Sequence, residues 1–247
     1  MRTTKNSVQK SILQEVDRFL KDQNHDLSAL YQSYTWKKDT YKNGFPDLFH
    51  LEQVISFAAR HHSLGISHLI EIAKWGKLPN TKQISWPEPN KFSLYENDLP
   101  APWLETEPGK AISILEGQIR GFGPTYASKV LHFAVPQIFG ALDTRLVRTF
   151  GKGDTAAQRY PLLNISVTWS GNRWAILSSQ PGWAEEYGKW VGILNYIATD
   201  LNRNGKSCHH PSKYLEFNLR EKGVWLPADV ETALFAYASQ EIASEKQ

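Results

Sequence analysis

The sequence predicts a mainly α-helical fold with one small β-hairpin near residues 163–177. Apolar residues recur at intervals of three and four along most of the chain, which is the period of an amphipathic helix. Hydrophobic residues make up 41% of the 247 residues and aromatic residues 12%, enough to build a packed core. The clearest alternation of apolar and polar residues lies on both sides of a turn at Ser170-Gly171-Asn172, which predicts the hairpin.

Each helix is predicted from its apolar stripe and its end signals. Ser7 is a candidate N-cap for the first helix, Gly76 a stop signal for the third, and Asp143 a candidate N-cap for the sixth. Residues 31–44 are expected to form a loop or a short helix. The predicted helices span residues 7–22, 51–62, 67–75, 109–119, 124–133, 144–150, 185–201 and 227–239.

Residues 79–109 are predicted to lack regular structure. Proline fixes φ and removes a backbone donor, so a segment rich in proline does not continue a helix or a central strand. A loop of this length in a compact domain is either functional or mobile. The prolines are Pro79, Pro87, Pro89, Pro100, Pro102 and Pro108.

Composition excludes several classes of protein. No apolar run approaches the ~18 residues needed to span a bilayer, and no apolar segment follows the N-terminal residues as in a signal peptide. The single cysteine, Cys208, excludes an internal disulfide, an iron–sulfur cluster and a cysteine-rich zinc site. The net charge of +3 permits nucleic-acid binding and is equally typical of an ordinary basic protein. We therefore expect a cytoplasmic protein without a membrane partner.

The segment Gly121-Phe122-Gly123-Pro124 lies between two predicted helices and is the most informative in the chain. Pro124 suits the first position of a helix, and the turn directs backbone N–H groups outward at that helix N-terminus, where a phosphate can bind. Glycine also lets a nucleic-acid backbone approach closely. This pattern predicts a helix–hairpin–helix that binds DNA. The alternative is a tight connection between two packed helices.

The residues after the hairpin extend this pattern. An apolar stretch, Val135-Pro136-Gln137-Ile138-Phe139, leads to Asp143, which opens the next predicted helix. From Leu115 to Gly151 the chain resembles the helix–hairpin–helix DNA glycosylase superfamily, and the interval from Gly123 to Asp143 matches endonuclease III without a gap. The resemblance implies two helical lobes with DNA across the cleft. Residues 48–142 would form the lobe that carries the hairpin, and residues 1–47 with 143–247 the other.

The resemblance assigns the catalytic role to Asp143. Cleavage of an N-glycosidic bond develops oxocarbenium character on the sugar, which a nearby carboxylate stabilises while it orients the attacking water. The alternative is that Asp143 only caps its helix, although one carboxylate can do both.

One departure from the family concerns the lysine that bifunctional members carry two residues after the second hairpin glycine. Thr125 stands at that position here, and Lys129 lies one turn further along the same helix face. We therefore expect a monofunctional glycosylase without lyase activity, which leaves an abasic site. The competing hypothesis is a lyase that depends on Lys129.

The resemblance also implies a DNA-binding surface and a cation site. Double-stranded DNA is the expected partner, and the protein is expected to be monomeric and associated with the nucleoid. No cofactor is required, but the family suggests a monovalent cation, Na⁺ or K⁺, held by the backbone carbonyls of Gly117, Ile119 and Phe122. The alternative for the positively charged candidates is that they are solvated residues on helix surfaces. The candidate DNA-binding residues are Arg120, Gly121, Phe122, Gly123, Thr125, Tyr126, Lys129, Arg145 and Arg148.

A glycosylase must also hold a flipped base, and aromatic side chains can stack on it. We expect one or two aromatic residues in such a pocket and the rest in the core; the candidates are Tyr31, Tyr34, Trp36, Tyr41, Trp86, Phe92, Tyr95 and Trp103. The pairs His61-His62 and His209-His210 are expected to be surface or capping residues, because adjacent histidines on a helix point in different directions.

Two hypotheses of function stay open at this point. The first is a DNA glycosylase that excises a damaged base, or a deliberately modified base of phage DNA as an antiviral defence. The second is a DNA-binding protein without catalytic activity, which keeps the hairpin and uses Asp143 only as a cap. Replacement of Asp143 by Asn separates them, because it abolishes base release only under the first hypothesis.

Overall fold

The computed structural model describes residues 10–22, 26–86, 93–152, 160–170 and 172–244. The predicted cap Ser7, the aromatic candidate Phe92 and the turn residue Gly171 lie outside these residues, as do two prolines of the predicted loop, Pro87 and Pro89. The described chain is mainly helical with small two-stranded antiparallel sheets, as the sequence predicts.

The helices and strands follow one another in chain order. The helices are α1 (Lys10–Lys21), α2 (Leu27–Ser33), α3 (Pro46–Arg60), α4 (Ile66–Trp75), α5 (Trp103–Thr106), α6 (Pro108–Gln118), α7 (Pro124–Ala134), α8 (Thr144–Phe150), α9 (Trp183–Arg203), α10 (Ser212–Glu216) and α11 (Pro227–Ser244). The strands are β1 (Thr35–Trp36), β2 (Asp39–Thr40), β3 (Tyr95–Glu96), β4 (Leu99–Pro100), β5 (Thr168–Ser170) and β6 (Arg173–Ala175).

The three sheets are antiparallel hairpins of neighbouring strands. In the hairpin that the sequence predicts, Thr168 pairs with Ala175 and Trp169 with Trp174. It is shorter than predicted, because residues 163–167 pack towards the core without a partner strand.

The prediction that residues 79–109 lack regular structure is wrong for part of this segment. The hairpin β3–β4 and the short helix α5 lie within it, and α6 begins at Pro108. Proline is compatible with both places, because Pro100 lies on a two-stranded sheet and Pro108 occupies the first turn of its helix.

The helix predicted for residues 51–62 begins earlier, at Pro46. Phe45 precedes it with a φ of +50°, so the chain turns sharply before the helix. Asp39 stabilises this start: its Oδ1 atom accepts hydrogen bonds from the backbone N–H groups of Asp47 at 2.7 Å and Leu48 at 3.2 Å. The acceptor that satisfies the first turn therefore comes from strand β2, not from a neighbouring residue.

The C-terminal helix α11 lies at the centre of the fold. It packs against α2, α8 and α9, while α6 packs against α9 and α3 packs against α7. The buried apolar residues form one continuous cluster that includes Phe19 of α1, Leu131 of α7, Trp190 of α9 and Leu234 of α11. The division into two lobes stays a prediction.

Candidate active site

A pocket opens where α3, α4, α7 and α11 meet the start of α8. Its empty space is about 410 Å³ when the open mouth is included. Its wall combines aromatic rings with several ionisable groups. The lining residues are Tyr34, Trp36, Leu48, Trp75, Lys129, His132, Phe133, Ala141, Asp143, Glu231, Thr232 and Phe235.

Asp143 lies at the pocket wall as the N-cap of α8. Its Oδ1 atom accepts hydrogen bonds from the backbone N–H groups of Arg145 at 2.8 Å and Leu146 at 3.2 Å. The cap that the sequence predicts is therefore confirmed. Because these bonds fix the position of the carboxylate, capping and a role in the pocket are compatible.

Lys129 lies in the same pocket, on the second turn of α7. Its side chain is 7% exposed, and its ammonium group lies 4.8 Å from the ring centre of Trp75 and 5.6 Å from that of Tyr126. Among the described residues no carboxylate forms an ion pair with it. Burial lowers the pKa of Lys129, and the negative charges of Asp143 and Glu231 oppose this decrease.

Glu231 and His132 form a second buried pair in the wall. The Glu231 Oε2 atom lies 3.3 Å from Nδ1 of His132, and the backbone N–H of Ala141 donates to the same nitrogen at 3.3 Å. Burial raises the pKa of Glu231 well above its usual value, and the charge of Asp143 raises it further. Burial also lowers the pKa of His132 to about 3. Because His132 Nδ1 already accepts from the Ala141 N–H, that nitrogen acts as an acceptor in the neutral ring.

Aromatic rings form much of the remaining wall. Tyr34 follows α2 and Trp36 lies on β1, so two of the aromatic candidates from the sequence line the pocket, as expected. The Trp36 indole N–H donates to the carbonyl of Trp75 at 3.3 Å, and the Trp75 indole N–H donates to Asp39 at 3.0 Å. These bonds hold both indoles in place. Tyr31 and Tyr95 are buried in the core, while Tyr41, Trp86 and Trp103 pack against it.

The helices predicted on both sides of the glycine turn are present as α6 and α7. Gly121 has a φ of +76°, and a Cβ atom there would lie 2.7 Å from the carbonyl oxygen of Gln83. Gly121 is thus required by the fold itself. Gly123 differs: its φ is −88°, and a Cβ atom there would meet no atom of the described residues within 4 Å. The exposed Gly123 therefore leaves open space in front of the α7 N-terminus.

The three carbonyls proposed for a monovalent cation lie around this turn. Gly117 is in the last turn of α6, and Ile119 and Phe122 follow it. Within the described part of the chain, no backbone N–H donates to any of the three oxygens. Carbonyl oxygens without donors suit a hard cation, so these residues fit the predicted site. Binding of a cation there stays a prediction.

The remaining DNA-binding candidates occupy different surroundings. Arg120 is exposed beside the turn, where its backbone pairs with Ser85. The guanidinium of Arg145 lies 5.1 Å from the ring centres of both Trp36 and Phe235, and that of Arg148 lies 5.0 Å from the ring of Trp174. The alternative that the basic residues are solvated helix surface is wrong for the buried Lys129. Contacts with phosphates stay predictions for all of them.

Two candidates on α7 are only half-buried and lie near the turn. Thr125 stands in the first turn of α7, at the position of the family lysine. The Tyr126 hydroxyl donates to the carbonyl of Gly76 at 2.7 Å, which ties α7 to the end of α4. Gly76 follows the last residue of α4, so the predicted end of that helix is confirmed.

The prediction for the histidine pairs is wrong at His210. This side chain is buried, and its Nδ1 atom lies 3.6 Å from Cys208 Sγ, while Asp229 completes a group of three metal-binding residue types. Each polar atom has a protein partner, however. His210 Nε2 donates to the Val224 carbonyl at 2.8 Å, and Asp229 accepts from Arg220 and from a backbone N–H. Burial also raises the pKa of the Cys208 thiol. The group is therefore a hydrogen-bonded structural cluster.

Sequence reasoning missed several residues of the pocket, namely His132, Glu231, Thr232, Trp75, Phe133 and Phe235. A signal was present in two of the helices. Lys129 and His132 lie three residues apart on one face of α7, and Glu231 of α11 lies three and four residues before Leu234 and Phe235, on the same helix face. A charged residue inside an apolar helix is rarely buried without a partner or a function.

Comparisons with known proteins add no further information about this site. The chain matches no protein-family model, no curated protein and no solved structure. Within the described ranges, no helix has the length and apolar character required to cross a membrane.

Proposed function

We propose that this protein is a DNA glycosylase of the helix–hairpin–helix type, which flips a base out of the duplex and hydrolyses its N-glycosidic bond. The observation that carries the proposal is the presence of Asp143 and Lys129 in one aromatic pocket beside the hairpin turn. A pocket that binds a base needs flat apolar walls and a few fixed polar groups, and this pocket has both.

The proposed reaction needs only groups of this chain and water. The bond between C1′ of the sugar and the base nitrogen breaks, the hydroxyl of a water molecule adds to C1′, and the proton that this water gives up to Asp143 is passed on to the departing base. The Asp143 carboxylate stabilises the positive charge that develops on the sugar and accepts the proton of the attacking water. Its fixed position on the α8 N-terminus supports this role, because a preorganised carboxylate need not reorient as the reaction proceeds.

The turn between α6 and α7 supports DNA binding beside the pocket. A phosphate can approach the α7 N-terminus across the open space at Gly123. The excised base is proposed to be a damaged base or a bulky modified base of phage DNA, in which case the enzyme has an antiviral role.

The first experiment is mass spectrometry of the free bases released from a panel of DNAs. The panel includes alkylated, oxidised and deaminated DNA and phage genomes with glucosylated pyrimidines. We expect the wild type to release one base and Asp143→Asn to reduce the rate at least about 10²-fold. Because asparagine caps a helix as well as aspartate does, this variant keeps the fold and removes only the charge.

Asp26→Asn is the matched control for this variant. Asp26 caps α2 with the same two-bond geometry and is not among the residues that line the pocket. Base release should be unchanged in Asp26→Asn. Release by Asp143→Asn at the wild-type rate would refute the catalytic role. If no DNA releases a base, but the protein still binds DNA through the turn between α6 and α7, the hypothesis of a non-catalytic DNA-binding protein would be favoured.

The position of Lys129 favours a second candidate, a glycosylase with lyase activity. An amine attacks C1′ only when unprotonated, and burial lowers the pKa of Lys129 towards that state. The lysine would displace the base, form a Schiff base with the opened sugar and allow strand cleavage.

Borohydride trapping on the same DNA decides between the two mechanisms. A covalent adduct in the wild type that is absent in Lys129→Met would establish the lyase. The exposed Lys152 provides the matched control, since Lys152→Met should keep any adduct. No adduct in a preparation that releases base would establish simple hydrolysis.

A further inference from the structure

The β5–β6 hairpin displays two tryptophans outside the core. Trp169 is 58% exposed, and its ring lies 5.2 Å from that of Trp174 on the paired strand, nearly perpendicular to it. The two tryptophans form a contiguous apolar patch, and such a patch, unlike a single exposed residue, can mark a binding surface.

The two ends of this hairpin are joined by the side chain of Gln180, and two apolar residues beside the strands are buried. The Gln180 side chain accepts from the Ser166 N–H at 3.0 Å and donates to the carbonyls of Ser166 and Leu177, at 3.3 Å and 3.0 Å respectively. Ile165 and Ile176 are buried beneath the strands. A two-stranded hairpin is only marginally stable by itself, so this clamp keeps the tryptophans in one place.

Two arginine side chains lie on or beside the hairpin. Residues 166–177 contain no acidic side chain, and the exposed Arg173 lies on β6. The guanidinium of Arg148 covers the Trp174 ring at 5.0 Å. Aromatic rings beside basic groups form the usual surface for an unstacked nucleotide, because the ring takes the base and the cation takes the phosphate.

The hairpin also lies next to the proposed DNA site. Burial raises the pKa of Tyr126 to about 12, and the nearby positive charge of Arg173 opposes that rise, which places Arg173 near the first turns of α7. Arg148 belongs to α8, the helix that Asp143 caps. The tryptophans are therefore close to both helices that the proposed function brings to DNA.

We propose that the β5–β6 hairpin binds the duplex at the flipped nucleotide, with Trp169 stacked on a base left without its neighbour. This inference rests on the proposed function for its partner, DNA with a gap in one stacked strand. Base flipping opens such a gap and costs stacking energy, which an inserted aromatic ring recovers.

The test uses a fluorescein-labelled duplex with one tetrahydrofuran abasic analogue and an intact duplex of the same sequence. We expect Trp169→Ala to lower the affinity for the abasic duplex about tenfold and the affinity for the intact duplex less than about twofold. Trp169→Phe should restore most of the difference, because phenylalanine also stacks. A 2-aminopurine next to the gap should lose its quenching in the alanine variant only.

Leu99 on the β3–β4 hairpin provides the matched control. It is 68% exposed, and Leu99→Ala should bind both duplexes as the wild type does. Equal binding by Trp169→Ala and the wild type, or an equal loss on both duplexes, would overturn the proposal. So would a change in the sedimentation of Trp169→Ala, which would assign the tryptophans to a contact between copies of the chain.

The binding assay does not depend on base release, so the two proposals can fail separately. If no DNA in the panel releases a base but Trp169→Ala still discriminates between the duplexes, only the proposed catalysis fails. If base is released and Trp169 makes no difference, only the role of the hairpin fails.

Discussion

Two groups of buried charged residues in this molecule are arranged in opposite ways. In the first, Arg220 donates through Nη2 to Glu52 at 2.8 Å and through Nε to Asp229 at 2.8 Å, so one cation meets two carboxylates. In the second, Lys129 of the pocket faces aromatic rings, and Glu231 meets a histidine instead of a cation.

The two arrangements indicate different roles for the two groups of residues. A buried ion pair with complete hydrogen bonds satisfies its own charges and joins elements that are distant in the chain, here α3 and α11. A buried ionisable group without such a partner costs stability, so it persists where a ligand or a reaction uses it. The first group is therefore a structural network, and the second is the group for which we propose a role in a reaction.

The largest expected effect is the loss of the structural network. Arg220→Met should lower the free energy of unfolding by about 3–5 kcal/mol, because it leaves two buried carboxylates without their cation. Urea unfolding measures this change. The exposed pair of Lys38 and Asp47 is the control, and Lys38→Met should leave the urea midpoint nearly unchanged. Similar losses in both variants would contradict the contrast between paired and solvated charges.

Glu231→Gln should stabilise the protein, increasingly so as the pH rises. Below the ordinary carboxyl pKa of 4.5, Glu231 is protonated in the folded and the unfolded chain, so parent and variant should be equal. Above it, the unfolded parent releases the proton while the folded parent retains it. The parent then loses about 1.4 kcal/mol per pH unit relative to the variant, until the pH passes the raised pKa.

Urea unfolding at several pH values between 5 and 8 measures this difference. His132 acts in the opposite direction in both proteins: its lowered pKa of about 3 makes stability fall as the pH decreases from about 6.5. A constant difference between Glu231→Gln and the parent across this range would show that Glu231 is ionised in the folded protein.

The two glycines of the turn between α6 and α7 are also expected to differ, one in its effect on stability and the other in its effect on DNA binding. Gly121 has a positive φ, and a Cβ atom there would collide with the Gln83 carbonyl. Gly121→Ala should therefore lower the free energy of unfolding by at least about 1 kcal/mol. Gly123 faces open space, so Gly123→Ala should leave stability nearly unchanged and weaken DNA binding. Unfolding curves and duplex titrations of both variants test this. A stable Gly121→Ala, or unchanged DNA binding by Gly123→Ala, would contradict the assignment.

Lys129→Met should change the stability only slightly. Because no carboxylate of the described residues forms an ion pair with Lys129, its removal should alter the free energy of unfolding by less than about 1 kcal/mol, or raise it. Base release should stay near the wild-type rate in this variant if Asp143 alone activates water, and it should fall strongly if Lys129 is the nucleophile of the lyase mechanism. A loss of stability similar to that of Arg220→Met would assign Lys129 to the structural framework instead of the pocket.

The helical class of the fold, and the order of the helices around the turn between α6 and α7, could be predicted from the sequence. The spacing of apolar residues and the glycines, prolines and caps at helix ends are local signals, and they located α6, α7 and α8 correctly. The same signals placed Asp143 at a helix N-terminus. Local signals failed at the start of α3, because the acceptor that satisfies its first turn is Asp39, from another element.

The set of side chains that line the pocket could not be predicted from the sequence, because it depends on the tertiary structure. Lys129 and Asp143 come from neighbouring helices, but Glu231 and Phe235 come from α11, far along the chain. No periodicity encodes such a meeting, because it depends on how α11 packs against α2, α8 and α9. The pKa shifts of Lys129 and Glu231 could not be predicted either, because they are caused by burial, which arises only when the helices assemble.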